Sequence, residues 1–243
     1  MNVVKAEEIR KKFSMRETME PVFLCDAIAV TALRTGALGA LGGLGMKYLA
    51  DKNAETLGII GTGTQGWSHL QSALVARNVK DVHIFNRSKS KALSFKEKAE
   101  KTFSEVRFHV SDVEELVKQS DIIVTTTTSS EPVLPELPEE EWKGKLIVGA
   151  GSFRPAMQEI SDQVLKVADE IHVDAESALR ESGDMIRAQE LTEKIDGSRN
   201  LERLITDGYI PDNTLDKLIL FKSVGASIFD LVTARAIYEN YYR

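Results

Sequence analysis

Between residues 57 and 148 of this chain, short unpatterned apolar runs such as LGII, DIIVT and KLIVGAG alternate with longer amphipathic stretches. An apolar run with no polar alternation is what a strand covered on both faces requires. The pattern predicts strands over 57–60, 82–85, 107–110, 121–127, 145–148 and 170–173, the last being the final strand of the sheet. Helices are predicted over 65–77, 90–102 and 113–119. Such alternation implies an α/β fold, a Rossmann-type doubly wound parallel sheet with helices on both faces. A proline-bearing loop, SSEPVLPELPEEEW, follows the fourth strand.

The two ends follow other rhythms. Residues 1–20 read as a short strand and an amphipathic helix, with Ile9, Phe13 and Met19 on one side. Residues 27–49 read as a small-residue helix or helix pair. A glycine inside a helix costs about 1 kcal/mol relative to alanine, so the close approach of another backbone is the reason for so many. From Leu215 the tail reads as one long helix, with Leu218, Phe221, Val224, Ile228, Leu231 and Val232 near helical spacing.

Composition narrows the function classes. A chain of 243 residues with 42% hydrophobic content can bury a substantial core. A formal charge of -6 leaves no basic surplus for phosphate backbones, so small molecules, not nucleic acids, are the expected partners. The single cysteine, Cys25, cannot form an intramolecular disulfide; it reads as a small buried apolar side chain in a reducing compartment. The N-terminus lacks an apolar h-region, and the longest apolar segment, 35–50, is too short to span a membrane and contains Lys47. The expectation is a cytoplasmic protein without a membrane partner.

Candidate chemistry begins at Gly61, Gly63 and Gly66, a G-x-G-x-x-G placed after one predicted strand and before a helix. The first glycine permits a tight turn, the second admits a pyrophosphate to the backbone, and the third lets helix and strand pack closely. About 20 residues further on, where an acid would bind the ribose hydroxyls of NAD, the chain has Asn86, Arg87 and Ser88. A neutral amide, a guanidinium and a hydroxyl favour NADP(H) over NAD(H). The same NRSKSK stretch also reads as a solvated helix start capped by Ser88 or Ser90. Thr125–Thr128, Gly149, Gly151 and Ser152 end the next two strands at the same edge, where glycines would let a nicotinamide ring lie against backbone. His172, Asp174, Glu176, Glu181 and Asp184 fit no metal-ligand spacing, so no metal is expected. ESGD reads as the start of a helix near the cleft, and His69 as a packing or surface histidine.

The blocks TALRTGALGALGGLGMKYLA, LGIIGTGTQG, IFNRSKSKA, GSFRPAMQEI, ESGD and FKSVGASIFDLVTARAIY run in this order through nearly the whole chain. Together they closely resemble the ornithine cyclodeaminase and mu-crystallin family. T-x-x-R-T-G-A and the K-S-V-G placed in the final helix are its specific parts. K-S-V-G also argues against the shikimate dehydrogenase-like enzymes that share an NRS-x-S-K-A stretch.

The resemblance implies an NAD(P)-dependent oxidoreductase of a small amino acid or its imine: an alanine dehydrogenase, or a ketimine or pyrroline carboxylate reductase. It implies Arg34 and Thr35 near the cofactor phosphates, with Arg34 also at the substrate carboxylate. It places Thr64 and Gln65 in the glycine turn, Asn86, Arg87 and Ser88 at the adenosine phosphate, Thr127 by the nicotinamide ribose and Ser223 near the nicotinamide. Cyclodeaminases of the family carry an aspartate before the proline of the GSFRP-like segment; here Phe153 stands there, which disfavours that activity. Relatives also place a long segment of strands between the blocks corresponding to 1–22 and 23–37. That segment, which carries a substrate arginine and a proton-transferring lysine, has no counterpart here, and Lys5, Lys11 and Lys12 do not replace it. The implied division is a dinucleotide-binding domain over 35–214 and a reduced substrate and dimerisation domain from 1–34 and 215–243, with a homodimer open to it. The alternative is a non-catalytic NADPH-binding protein of the mu-crystallin type.

Overall fold

A computed structural model of the chain describes residues 10–14, 18–36, 45–195 and 199–241. Strands β1 (Arg10–Ser14) and β2 (Pro21–Asp26) form an antiparallel pair, and helix α1 (Ala27–Gly36) follows at once. A π-helical turn spans Gly45–Leu49. The alternating unit comprises β3 (Thr56–Ile60), α2 (Thr64–Ala76), β4 (Asp81–Phe85), α3 (Lys89–Thr102), β5 (Arg107–Val110), α4 (Val113–Gln119), β6 (Ile122–Thr125) and β7 (Leu146–Gly149). Next come α5 (Asp162–Val167), β8 (Glu170–Val173), α6 (Ala178–Glu181), α7 (Gly183–Leu191), α8 (Leu201–Thr206), β9 (Ile219–Lys222) and α9 (Ser227–Tyr241).

The seven strands β5-β4-β3-β6-β7-β9-β8 make one parallel sheet. The central strands β6 and β7 are buried on both sides, as their unbroken apolar runs require, while β4 alternates buried and half-buried positions. Within β6, Ile122 and Val124 enter the core that contains Leu70, Ile84 and Phe95, while Ile123 enters the opposite core with Leu116, Trp142 and Val164. That period of two divides one apolar run between two layers of helices.

Three expectations are corrected. The N-terminal helix is absent from 10–14, which is strand paired with β2; Met19, in the connection, has a φ of 59° and is exposed. Ile9 lies outside the described residues. Residues 170–173 are the edge of the sheet but not its final strand, because β9 inserts between β7 and β8. The tail is therefore not one helix from Leu215. Leu218–Phe221 is a continuous buried run that serves as a strand, and Gly225, with a φ of 92°, precedes the helix that starts at Ser227. Lys222–Gly225 accordingly forms a strand end and turn, outside the final helix. Ile228, Leu231 and Val232, read as a core stripe, are exposed on α9.

At Gly36 the expected close approach is present. A Cβ there would lie 2.7 Å from the Ser68 carbonyl oxygen of α2, so α1 and α2 meet backbone to backbone. Cys25, in β2, is half-buried, not enclosed. Among the described residues no helix is long and apolar enough to cross a membrane.

Candidate functional site

Strand order reverses beside β3, with β4 and β5 on one side and β6 and β7 on the other. Open parallel sheets bind ligands at such a switch point, outside the carboxyl ends of the strands. A cavity of about 550 Å³ lies there, lined among others by Gly61, Gly63, Asn86, Arg87, Thr127 and Val133.

The turn over residues 61–63 forms its floor. Gly61 has a φ of 104° and donates its N–H to the Phe85 carbonyl at 3.0 Å, while its own carbonyl accepts from Thr126 Oγ1 at 3.0 Å. A side chain there would be strained and would press on Thr126. At Gly66 a Cβ would overlap the Gly61 carbonyl oxygen, so this glycine seats α2 on the turn. Gly63 differs: a Cβ there meets nothing within 4 Å, which leaves its backbone open to a ligand. Gly63 is also the N-cap of the 13-residue α2 and offers no side-chain acceptor. The first-turn N–H groups of Thr64, Gln65 and Gly66 are thus available to an anion at the positive end of the helix.

Beside the turn, the Asn86 amide donates to Thr62 Oγ1 and accepts the Ser88 N–H at 3.0 Å. Arg87 is exposed at the cavity rim. Ser88 occupies the N-cap of α3, but its hydroxyl bonds Ser90 Oγ at 3.0 Å in place of a backbone N–H. Behind Thr62 and Gly63 a second cleft, about 400 Å³, is lined by Thr64, Trp67, Lys91 and Lys98, with Lys98 Nζ 3.7 Å from the centre of the Trp67 ring.

Across the switch point the strand ends are held from beneath. The buried Glu159 carboxylate accepts from Thr125 Oγ1 at 2.9 Å and from the N–H groups of Thr127, Gly151 and Ser152 at 2.5, 2.8 and 3.2 Å. Burial pushes its pKa above the ordinary value, opposed by the Lys222 ammonium and the Thr127 N–H. Asp184, the second residue of α7, accepts from the Glu159 and Ile160 N–H groups and, at 2.9 Å, from Lys222 Nζ. The ESGD segment does start a helix, with Ser182 at its N-cap.

Not every expected residue reaches the cavity. Ser152 Oγ donates to the Met157 carbonyl and contacts Ser182 Oγ, and Ser223 Oγ donates to Asp174 Oδ2 at 2.9 Å; neither hydroxyl lines the cavity. Asp174 also takes the N–H groups of Val224 and Gly225 and so fixes the K-S-V-G turn, while burial raises its pKa. His172 pairs with Glu170 at 3.0 Å, and among the described residues no group of three or more His, Cys, Asp or Glu is placed to hold a metal.

Arg34 and Thr35 also lie off the cavity lining, in the α1–α2–α9 junction. The Arg34 guanidinium packs on Gly225, with Nε 3.4 Å from Asp230 Oδ1. Arg34 Nε and Nη1, Thr35 Oγ1, Gln65 Oε1 and His69 Nε2 are buried without a hydrogen-bond partner. His69 is wholly buried, as a packing histidine would be; burial first, then the Arg34 charge, lowers its pKa to about 4. Buried polar groups without partners are rare, and these Arg34 and Thr35 donors fit an anionic group.

Glu159 and Lys222 stand inside the GSFRPAMQEI and K-S-V-G blocks, but nothing local gives either a role, because the groups they bind lie on distant segments. A second local signal was charge inside apolar text, Glu159 beside Ile160 and Lys222 after LILF.

Known proteins share this fold. A Delta(1)-pyrroline-2-carboxylate reductase of Bacillus cereus (strain ZK / E33L) is 34% identical over 227 residues, covering 92% of this chain and 68% of that protein. The structure of Thermococcus litoralis Delta(1)-pyrroline-2-carboxylate reductase, in complex with NADH and L-proline, superposes with a TM-score of 0.82 at 28% identity, covering 93% of this chain and 69% of that one. An archaeal alanine dehydrogenase dimer with bound NAD does so with a TM-score of 0.83 at 29% identity, covering 94% and 69%. The profile of the Ornithine cyclodeaminase/mu-crystallin family matches residues 13–243. With its glycine turn at the sheet's switch point, its K-S-V-G turn and these relatives, the chain belongs to the ornithine cyclodeaminase/mu-crystallin family.

Proposed function

We propose that this protein is an NAD(P)-dependent oxidoreductase acting on a small imino acid or the corresponding amino acid, with NADP(H) preferred over NAD(H). The observation that carries the reading is the uncapped N-terminus of α2 behind Gly63, opening on a cavity of about 550 Å³ at the switch point. When bound, the reduced dinucleotide supplies a hydride to the carbon of a C=N bond. The chain's own part is placement. The α2 N–H groups hold the diphosphate and Thr127 borders the nicotinamide ribose; Gly149 and Gly151 lie off the cavity lining, the space at their Cα atoms taken up by Ile160, Lys222, Thr127 and Glu159, so they offer no backbone to the ring. Arg34 lies off that cavity with Nε ion-paired to Asp230; its Nη1, buried without a hydrogen bond, is the donor left for a phosphate or substrate carboxylate at the α1–α2–α9 junction.

The NADP preference rests on Arg87, exposed at the rim, and on the neutral Asn86 in place of an acid. Lys91 in the adjoining cleft adds positive charge on the same side of the turn. A reduced second unit is built from β1, β2, α1 and α9; residues 219–222, assigned to it from the sequence, belong to the parallel sheet. α1 meets α9 through Arg34 and Asp230, and Phe23 of β2 meets Tyr238 of α9 edge-to-face at 5.9 Å. Leu24, Ile28 and Leu33 at one end and Ile228, Leu231 and Val232 at the other are exposed, apolar area that suits a homodimer. Sedimentation velocity of wild type against Leu231→Glu/Val232→Glu checks this: the wild type should run as a dimer and the variant as a monomer.

NADPH oxidation with pyruvate plus ammonia, pyrroline-2-carboxylate and piperideine-2-carboxylate tests the activity, with cofactor binding followed by calorimetry. Turnover of one of these substrates is expected. Binding with no turnover across the panel leaves the non-catalytic reading in its place, and no binding at submillimolar cofactor removes both.

A further inference from the structure

Glu159 adds nothing to the cavity surface, yet it holds the cavity wall that runs from Thr127 to Val133 and ties it to the end of β7. Through Oε1 it takes the Thr127 N–H, and through Oε2 the Thr125 hydroxyl and the Gly151 and Ser152 N–H groups. Its backbone carbonyl accepts from Val133 at 2.8 Å and Leu134 at 3.3 Å, and the neighbouring Gln158 donates its N–H to the Ser129 carbonyl at 3.1 Å. Thr127, Ser129 and Val133 all line the cavity. The clamp is itself clamped: Asp184 Oδ1 receives the Glu159 and Ile160 N–H groups, and Asp184 Oδ2 receives the ammonium of Lys222 at the end of β9. Glu159, Asp184 and Lys222 are fully buried. Space at the clamp is closed as well, since a Cβ on Gly151 would overlap both the Thr127 carbonyl and the Glu159 carboxylate.

A carboxylate is the side chain this arrangement demands. Donors from the ends of β6 and β7 converge on it from two sides, so both terminal atoms must accept. Glutamine would turn an NH2 toward one set, and a buried N–H facing other N–H groups forces the strand ends apart. None of these bonds reaches the Asn86–Ser88 strand end, and the glycine turn is touched only through Thr126 Oγ1, which Glu159 does not bind.

We propose that Glu159 is a positioning residue for the nicotinamide half of the cleft. It touches no ligand, but it sets the backbone from Thr127 to Val133 against which that half rests, using the Gly151 and Ser152 N–H groups as its anchor, and leaves the adenosine half to the glycine turn and Arg87. This rests on the dinucleotide-binding reading above. A purely structural role would weaken both halves together, which separates the two.

Titration calorimetry of wild type and Glu159→Gln with NADPH and with 2′,5′-ADP, which fills the adenosine half alone, reads the difference. We expect Glu159→Gln to weaken NADPH by about tenfold, the loss of one well-placed contact, while 2′,5′-ADP stays within about twofold. Equal weakening of both ligands, or of neither, overturns the inference. Wild type that binds 2′,5′-ADP but not NADPH, or neither, removes the underlying reading instead. Should Glu159→Gln fail to fold, Thr125→Val, which deletes one donor to the same oxygen at nearly constant volume, must show the same selectivity at smaller size. An equal effect on the two ligands, or none, then overturns the proposal.

Discussion

Lys222 Nζ lies 2.9 Å from Asp184 Oδ2, and neither side chain has any exposure. Removing one member of a buried pair strands the other, at a cost of about 3–5 kcal/mol. Lys222→Met should therefore lower the urea-derived stability by about 3 kcal/mol or more. Lys222→Met combined with Asp184→Asn should recover part of that, because the uncharged amide keeps a carbonyl oxygen to accept the Glu159 and Ile160 N–H groups. Additive losses in this double-mutant cycle would mean that the pair carries no coupling energy.

Substitutions at two glycines of one turn should differ in their effect on stability but not in their effect on the cofactor. Gly66→Ala places a Cβ on the Gly61 carbonyl oxygen, so both stability and cofactor affinity should fall. Gly63→Ala meets open space at a φ of -83°, which alanine tolerates, so stability should stay within about 1 kcal/mol of wild type. Its NADPH affinity should nonetheless drop, because the methyl occupies room left for the diphosphate. Thermal unfolding and calorimetry on the two variants check this; unchanged NADPH affinity in Gly63→Ala would remove the diphosphate from that turn.

Arg87→Asp should move preference from NADPH toward NADH, since an acid at this strand end binds ribose hydroxyls and repels a 2′-phosphate. The ratio of the two affinities is the measurement. An unchanged ratio shows that Arg87 does not read the phosphate, and the charge of Lys91 then becomes the next substitution to make.

His69 predicts an acid-side loss of stability. Its pKa falls from 6.5 to about 4 on folding, chiefly through burial. Between those values the unfolded chain holds more protons than the folded one, so stability is complete above pH 6.5 and declines as pH drops toward 4. The loss amounts to about 3 kcal/mol at most. His69→Leu should lack this component, so its stability relative to wild type should rise steadily as the medium is acidified through that window. A pH-independent difference between the two proteins would contradict the assignment.

The alternating unit was legible because local rules and global fold agree there. Strand runs over 57–60 and 107–110, the helix over 113–119 and the G-x-G-x-x-G needed no distant partner to be read, and each stands within a residue of its observed place. The chain's ends were misread where an apolar stretch satisfies two periods at once. Leu218 and Phe221 are spaced for a helix, yet Leu218–Phe221 is also an unbroken run, and only the gap between β7 and β8 selects the strand. Residues 10–14 lost their helix to a pairing with β2 that no local signal announces.

By itself, then, the order of residues determined a parallel sheet, a phosphate-type turn and a strand end without an acid, because those depend on neighbours in the chain. Tertiary structure alone decided that Glu159, Asp184 and Lys222, as far as 63 positions apart, meet as one buried charged chain beneath the cleft. Burial is what gives these three side chains their roles, and burial is a property of the folded whole, not of any segment.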